Sequence, residues 1–266
     1  MNYWTRISVE FANQRNYLDE LYRVYPIVPN IRREIDGTIW GNIERSYLDQ
    51  DDVLMVKELL RLDLFPIKDS YVAYLKRDPS SIDRNPSTIA RIAGNLYSMD
   101  LSDIYEKCSE PKETNRQMGP MFKNWINRNT LGGRVTDSPD VILNSNDNCI
   151  LNASDAVMQN FASDFLGYTR DKGIDFIAKY NGKYVVAEAK FLTDFGGHQN
   201  AQFSDAISTM NSGFDGSVIG AEVIPISILD GVLFIESNNK MYRHLLENDN
   251  DIIISALVLR EFLFSI

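Results

Sequence analysis

The sequence is poor in the residues that build covalent or zinc-stabilised scaffolds, with two cysteines and two histidines among 266 residues. This scarcity excludes a disulfide framework and a multi-histidine zinc site, and it fits a reducing cytoplasm. No stretch approaches about 18 uninterrupted apolar residues, so we expect no membrane span. The N-terminus carries Arg6 and Glu10 where a signal peptide would need an apolar segment.

The motifs of several large enzyme classes are also missing. The chain contains no G-x-S-x-G, no Walker A loop and no G-x-G-x-x-G, which argues against α/β hydrolases, P-loop NTPases and dinucleotide enzymes. The net charge is −10, from 27 Lys and Arg against 37 Asp and Glu. Such a balance argues against a protein that coats nucleic acid indiscriminately, but it leaves room for a local basic groove.

The first part of the chain has a helical pattern. Residues 10–25, 51–64 and 86–97 place apolar side chains at three- and four-residue spacing. The hydrophobic fraction of 44% is ordinary for a globular protein, so these faces are expected to meet in a core. We therefore predict a helical N-terminal lobe over residues 1–110.

Beyond residue 110 short apolar runs typical of strands alternate with helical segments. We expect strands at 141–143, 174–180 and 183–191 and a helix at 154–166. Strands mixed with helices predict an α/β or α+β core over residues 111–266.

One hairpin carries the strongest local signal in this core. An Asn-Gly pair at 181–182 separates two alternating apolar runs, which is typical of a two-residue turn. With this turn, Asp175 on the first strand lies opposite Glu188 on the second, and both side chains lie on one face of the sheet. Lys190 points the same way because strand side chains alternate, while Ala189 points to the other face.

Two carboxylates at that position repel each other unless a cation lies between them or one acid takes a proton. Lys190 can supply part of the positive charge, and a divalent metal that prefers oxygen ligands supplies more. A lysine beside such a metal can orient or deprotonate a water, or stabilise developing charge on a phosphate. The alternative is that Asp175 ends a turn while Glu188 and Lys190 line a solvated strand face.

At these residues the sequence resembles the PD-(D/E)XK nuclease superfamily, and more closely its type II restriction endonucleases. The family's first acid falls on Asp175 in GIDFIAKY, and its second acid and lysine fall on Glu188 and Lys190 in VVAEAKF. Ile174 stands where the family's name has proline, at a position that varies among such enzymes. The resemblance covers roughly residues 112–235.

This resemblance implies a mixed β-sheet flanked by helices and the hydrolysis of DNA with Mg²⁺, for which Mn²⁺ would substitute. It also implies that Asp175 and Glu188 bind the metal together with the backbone carbonyl of Ala189, and that the lysine is catalytic. Many members add an acid from the preceding helix, for which Asp155 and Asp164 are both candidates.

Two polar segments are candidates for contact with DNA. Residues 112–134 carry five cations and one acid, and the segment FLTDFGGHQNAQFSDAI places glycines, amides and a histidine at an expected helix start. Helix N-termini favour phosphates, and amide side chains pair with adenine edges. The alternatives are a solvated helix face and a capped turn. The candidate residues are Arg116, Lys123, Asn124, Arg128, Gly197, His198, Gln199, Asn200 and Gln202.

We therefore predict a Mg²⁺-dependent, site-specific endonuclease for double-stranded DNA, a type II restriction enzyme with residues 111–266 as its catalytic core. Cleavage of both strands at a palindrome would imply a homodimer, and we expect a cytoplasmic protein of a bacterium or archaeon. The alternatives are a repair, structure-specific or modified-DNA nuclease of the same fold, and a non-catalytic DNA-binding protein in which Lys190 and the acids form an inert ion cluster.

Overall fold

The structure is a computed structural model that describes residues 1–14, 16–26, 32–111 and 117–266. Its contacts divide the chain into two units, one formed by residues 1–27 with 114–266 and the other by residues 28–113. Each unit has its own hydrophobic core.

Helices occur in both units. In chain order they are α1 (Tyr3–Ala12), α2 (Tyr17–Val24), α3 (Gly37–Leu48), α4 (Asp52–Leu60), α5 (Ser70–Arg77), α6 (Ser81–Arg84), α7 (Pro86–Tyr97), α8 (Leu101–Cys108), α9 (Met118–Asn127), α10 (Pro139–Asn144), α11 (Asp155–Phe165), α12 (Gly197–Met210), α13 (Lys240–Glu247) and α14 (Leu259–Ser265). The second unit contains α3 to α8, and the helices predicted over 51–64 and 86–97 are confirmed there as α4 and α7.

The N-terminal segment differs from the prediction in two ways. The single helix expected over 10–25 is broken, since α1 ends at Ala12 and α2 begins at Tyr17. Both helices belong to the first unit, where Thr5 and Ser8 of α1 accept hydrogen bonds from the backbone of Ile253 and Ser255 near the C-terminus. The functional division into a helical lobe and a catalytic core at residue 110 stays a prediction.

The described part of the first unit contains one six-stranded sheet, in the order β1-β2-β3-β4-β5-β6. The strands are β1 (Arg134–Thr136), β2 (Cys149–Leu151), β3 (Phe176–Tyr180), β4 (Lys183–Leu192), β5 (Val223–Gly231) and β6 (Ile253–Ile254). The pairs β2–β3 and β3–β4 are antiparallel, whereas β1–β2, β4–β5 and β5–β6 are parallel. The predicted mixed sheet flanked by helices is thus confirmed.

The predicted hairpin is confirmed as β3 and β4. Asn181 and Gly182 have φ angles of 49° and 80°, as a two-residue turn with two left-handed positions requires. The register runs from Tyr180 opposite Lys183 to Phe176 opposite Ala187. Because β4 also pairs with β5, its middle is covered by strands on both sides.

The strand predicted at 141–143 is wrong, because these residues lie in α10. Pro139 opens this helix at its first position, where proline needs no hydrogen-bond donor. Ile142 is fully buried, so the apolar run contributes to the buried face of a helix and not to a strand. Among the described residues, no helix has the length and apolar character needed to cross a membrane.

Candidate active site

Asp175 lies directly before β3, at the open end of the hairpin. The ladder stops at the pair Phe176–Ala187, so Asp175 lies one residue beyond the regular register. Its backbone N–H donates to the carbonyl of Ala187 at 3.1 Å, and its Oδ2 accepts from the backbone N–H of Ala189 at 2.9 Å. These bonds fix the carboxylate against β4.

The structure brings the three predicted catalytic residues together. Lys190 Nζ lies 2.9 Å from Asp175 Oδ2 and 2.9 Å from Glu188 Oε1. Glu188 and Lys190 therefore point the same way from β4, as strand alternation predicts. The two acids converge on a single positive charge.

Glu188 is fully buried, and a buried carboxylate is stable only with close partners. Its Oε1 contacts both Lys190 Nζ and Lys172 Nζ, the latter at 2.5 Å. Its Oε2 accepts a hydrogen bond of 2.9 Å from Thr209 Oγ1 on α12. Every oxygen of this acid is thus held by the protein.

The Lys190 ammonium is itself stabilised by these contacts. Burial favours the neutral amine, but the negative charges of Asp175 and Glu188 outweigh burial and raise the pKa of Lys190 above its ordinary value. Lys190 is therefore protonated at neutral pH in this arrangement.

Four residues that the sequence analysis missed support the site. Lys172 also contacts Asp205, which accepts a 3.0 Å bond from Arg170, and Arg170 donates to Thr209 Oγ1 at 2.7 Å. Burial would raise the pKa of Asp205, but the hydrogen bonds from Lys172 and Arg170 outweigh it and hold that pKa below its ordinary value. One signal was available, since Asp205 and Thr209 are polar residues one turn apart on α12.

A narrow cleft opens beside the acids. Its walls include Tyr25, Met118, Lys123 and Phe191, together with Asp175, Ala189 and Lys190. Two of the three predicted catalytic residues, Asp175 and Lys190, thus line this cleft, whereas Glu188 does not.

The donor set fits a divalent metal in chemistry, because two carboxylates already contact one cation and Mg²⁺ prefers such oxygen ligands. No third acid joins them: over the described ranges, no three His, Cys, Asp or Glu side chains converge on one point. Asp155 instead pairs with Lys123 at 2.7 Å, and Asp164 is exposed on α11.

The predicted DNA contacts of the first polar segment are partly accessible. Asn124 and Arg128 are exposed at and after the end of α9. Lys123 is half-buried, with Nζ bonded to the carbonyl of Ala153 at 3.1 Å as well as to Asp155. Arg116 lies outside the described residues.

The second segment forms the N-terminal turn of α12. Gly197 and His198 are exposed, and the His198 ring shares a 3.1 Å hydrogen bond with Gln202. Gln199 is 4% exposed and its amide bonds to Thr193, so it supports the loop from inside. Asn200 likewise donates to the backbone carbonyls of Phe195 and Gly196.

The two acids and the lysine that carry the resemblance to type II restriction endonucleases thus lie together at one end of a hairpin in a mixed sheet. A sequence profile of the Tsp45I type II restriction enzyme family matches residues 2–266, and the chain belongs to this family. Neither the curated proteins nor the solved structures compared with the chain gave a significant match.

Family membership establishes the activity. The protein is a type II restriction enzyme, a site-specific DNA endonuclease of a restriction–modification system, and its partner is double-stranded DNA. Enzymes of this class generally use a divalent metal. The predicted function is confirmed at this level over the alternatives of a repair nuclease and a non-catalytic DNA-binding protein.

Proposed function

We propose that the enzyme cleaves DNA in a Mg²⁺-dependent reaction in which Asp175, Glu188 and Lys190 are the catalytic residues. The observation that carries this proposal is the shared ammonium, with Lys190 Nζ 2.9 Å from a carboxylate oxygen of each acid. A fully buried acid beside a partly buried one has an energetic cost, and a site that handles a cation and a phosphate explains why the chain contains them.

In this proposal Asp175, Glu188 and the backbone carbonyl of Ala189 hold the metal. Mg²⁺ is commonly bound by one or two carboxylates with substrate phosphate and water, and Mn²⁺ accepts the same ligands. When bound, the divalent ion lowers the pKa of a water molecule and neutralises charge on the phosphate.

Lys190 lies beside this metal site, with its Nζ 2.9 Å from an oxygen of each acid. In this scheme it orients or deprotonates the attacking water, or stabilises the charge on the phosphate.

The proposed DNA contacts fall into two groups. Gly197 offers its backbone N–H at the start of α12, and His198 and Gln202 offer side chains on its first turns, while Gln199 and Asn200 shape the preceding loop. The segment of Arg116, Lys123, Asn124 and Arg128 supplies phosphate contacts. Cutting both strands at a symmetric site places two copies of the chain on the DNA, which we propose as a homodimer.

The test is to incubate the purified protein with unmethylated phage DNA, with Mg²⁺, Mn²⁺ or EDTA, and to separate the products on a gel. We expect discrete fragments that depend on metal, and no cleavage by Asp175→Ala or Glu188→Ala. Glu222→Gln is the matched control, because its exposed carboxylate pairs with Lys183 at the far end of the same hairpin. Cleavage by either alanine variant would refute the assignment of catalytic residues.

A further inference from the structure

The residues behind Glu188 form a closed ring of contacts. Thr209 and Lys172 each contact Glu188, Arg170 contacts Thr209, and Asp205 contacts both Arg170 and Lys172. The ring contains two positive and two negative side chains, so its formal charge is balanced. Its two halves contact different oxygens of Glu188, Oε2 through Thr209 and Oε1 through Lys172.

The half that contains Thr209 has a fixed direction of hydrogen bonding. A guanidinium can only donate, so Arg170 Nη1 donates to Thr209 Oγ1 at 2.7 Å. The one hydroxyl proton of Thr209 is then directed to Glu188 Oε2, 2.9 Å away. Thr209 is 1% exposed and Glu188 fully buried, so water does not compete for this bond.

In the half that contains Lys172, another cation can replace the lysine ammonium at Glu188 Oε1. The Lys172 ammonium contacts Glu188 Oε1 and also Asp205 Oδ2, so it keeps a carboxylate partner when Glu188 Oε1 takes another cation. Asp205 is anchored independently by Arg170 at 3.0 Å. A cation that binds Glu188 therefore need not leave the partly buried Lys172 ammonium without a carboxylate partner.

We infer that Thr209 and Lys172 are positioning residues for Glu188 as a metal ligand: Thr209 would hold Oε2, and Lys172, which shares Oε1 with Lys190, would be retained by Asp205 if a metal took its place at Oε1. This inference rests on the proposed function and extends it to residues that do not touch the substrate. It predicts that loss of the Thr209 hydroxyl and loss of the Lys172 ammonium change metal affinity in opposite directions.

The first test removes the hydroxyl of Thr209. Thr209→Val keeps the shape of the side chain, and we expect it to weaken binding of Mn²⁺ to the DNA-free protein by about 10–100-fold, the usual effect of losing a partner of a metal ligand. Free Mn²⁺ is followed by electron paramagnetic resonance, and the Mg²⁺ concentration that half-saturates cleavage is measured in parallel. Thr209→Ser should restore both values, and Ser208→Ala, on the exposed neighbouring hydroxyl of α12, should leave both unchanged.

The second test removes the ammonium of Lys172 or the charge of its second carboxylate partner, Asp205. Lys172→Met should bind Mn²⁺ several-fold more tightly than wild type, while the metal-free protein melts at a lower temperature because Glu188 has lost a counter-charge. Asp205→Asn should bind Mn²⁺ more weakly, since Lys172 then has Glu188 as its remaining carboxylate. Weaker Mn²⁺ binding in Lys172→Met, or unchanged binding in a folded Thr209→Val, would overturn the inference.

These outcomes are separate from those that test the proposed function. Absence of metal-dependent cleavage and of Mn²⁺ binding in the wild-type protein would refute the proposed function and the inference together. Wild-type cleavage and Mn²⁺ binding that Asp175→Ala abolishes, with no change in the ring variants, would refute the inference alone.

Discussion

Two carboxylates are fully buried in the same sheet, and their surroundings differ in kind. Glu188 on β4 contacts the ammonium groups of Lys172 and Lys190 as well as one hydroxyl. Asp230 on β5 is just as buried, but its hydrogen bonds come from uncharged donors. These donors are the hydroxyls of Tyr17, Tyr25 and Ser255 and the backbone N–H of Ala256.

The difference shows in the acidity of Asp230. Burial raises the pKa of its carboxyl to about 6, because the hydrogen bonds from Ser255, Tyr25 and Ala256 offset only part of the desolvation. Asp230 therefore links α2, β5 and the segment after β6 as a structural acid. The partners of Glu188 instead include the ammonium groups of Lys172 and Lys190. Burial alone thus does not distinguish the two acids, whereas the charge of their partners does.

The largest effect is expected on the rate of DNA cleavage, which should depend on Glu188 and not on Asp230. Glu188→Gln should lower the rate of DNA cleavage in Mg²⁺ by about 10³-fold or more, since a neutral amide cannot support the cation chemistry of the site. Asp230→Asn should retain cleavage, because Asp230 contacts structural groups. The rate is measured on a DNA fragment with one site, and the circular dichroism spectrum checks folding.

A loss of cleavage in a folded Asp230→Asn as large as that in Glu188→Gln would break the comparison. In that case the tyrosine network around Asp230 would be part of the catalytic machinery through Tyr25, which lines the cleft.

The hairpin and the proximity of Asp175, Glu188 and Lys190 were predictable because their signals are local. The Asn-Gly turn fixes which residues of two adjacent strands face each other, and alternation then places Glu188 and Lys190 on one side. The ring behind Glu188 was not predictable in this way. Thr209 lies 21 residues from Glu188 in sequence, and the contact depends on how α12 packs on β4.

Two differences between the structure and the sequence analysis have separate origins. A run of Val, Ile and Leu at 141–143 fits a buried strand or a buried helix equally, and Pro139 decided for the helix. The N-terminal helices joined the sheet unit because Thr5 and Ser8 bond to residues near the C-terminus, a contact across almost the whole chain. Periodicity gives no information about contacts at that range.

The second expected effect is a dependence of stability on pH that belongs to Asp230. Between about pH 4 and pH 6 the folded state holds a proton on Asp230 that the unfolded chain has lost, so the free energy of unfolding falls as pH rises through this window. The fall should amount to about 3 kcal/mol, since each pKa unit is worth about 1.4 kcal/mol. Urea unfolding of wild type and Asp230→Asn at several pH values measures the difference.

The control for this titration is Asp230→Asn itself, whose stability should lack this component of the pH dependence. Equal pH profiles for the two proteins would show that Asp230 is ionised throughout the window, and the contrast with Glu188 would disappear.

The third expected effect is on the free energy of unfolding and comes from one uncharged hydrogen-bond donor, the hydroxyl of Tyr25. Tyr25→Phe removes the hydroxyl that donates to Asp230 Oδ2 at 3.0 Å, and it should lower the free energy of unfolding at pH 7.5 by about 2 kcal/mol, since the bond is then made to an anion. At pH 5, where Asp230 is protonated, the loss should be about 1 kcal/mol. Urea unfolding at both pH values tests this. A loss that is greater at pH 5 would contradict the sign of the Asp230 titration.

The smallest change in stability is expected for an exposed acid next to the same sheet. Glu222 precedes β5 and pairs with Lys183 at 3.0 Å, with side chains that are 59% and 38% exposed. Glu222→Gln should change the free energy of unfolding by less than about 0.5 kcal/mol and leave cleavage unchanged, because water already solvates both charges. A double-mutant cycle with Lys183→Met measures the pair directly. A coupling energy between Glu222 and Lys183 above about 1 kcal/mol would contradict this expectation. It would mean that exposure does not weaken this ion pair and that the hairpin strengthens ion pairs along its length.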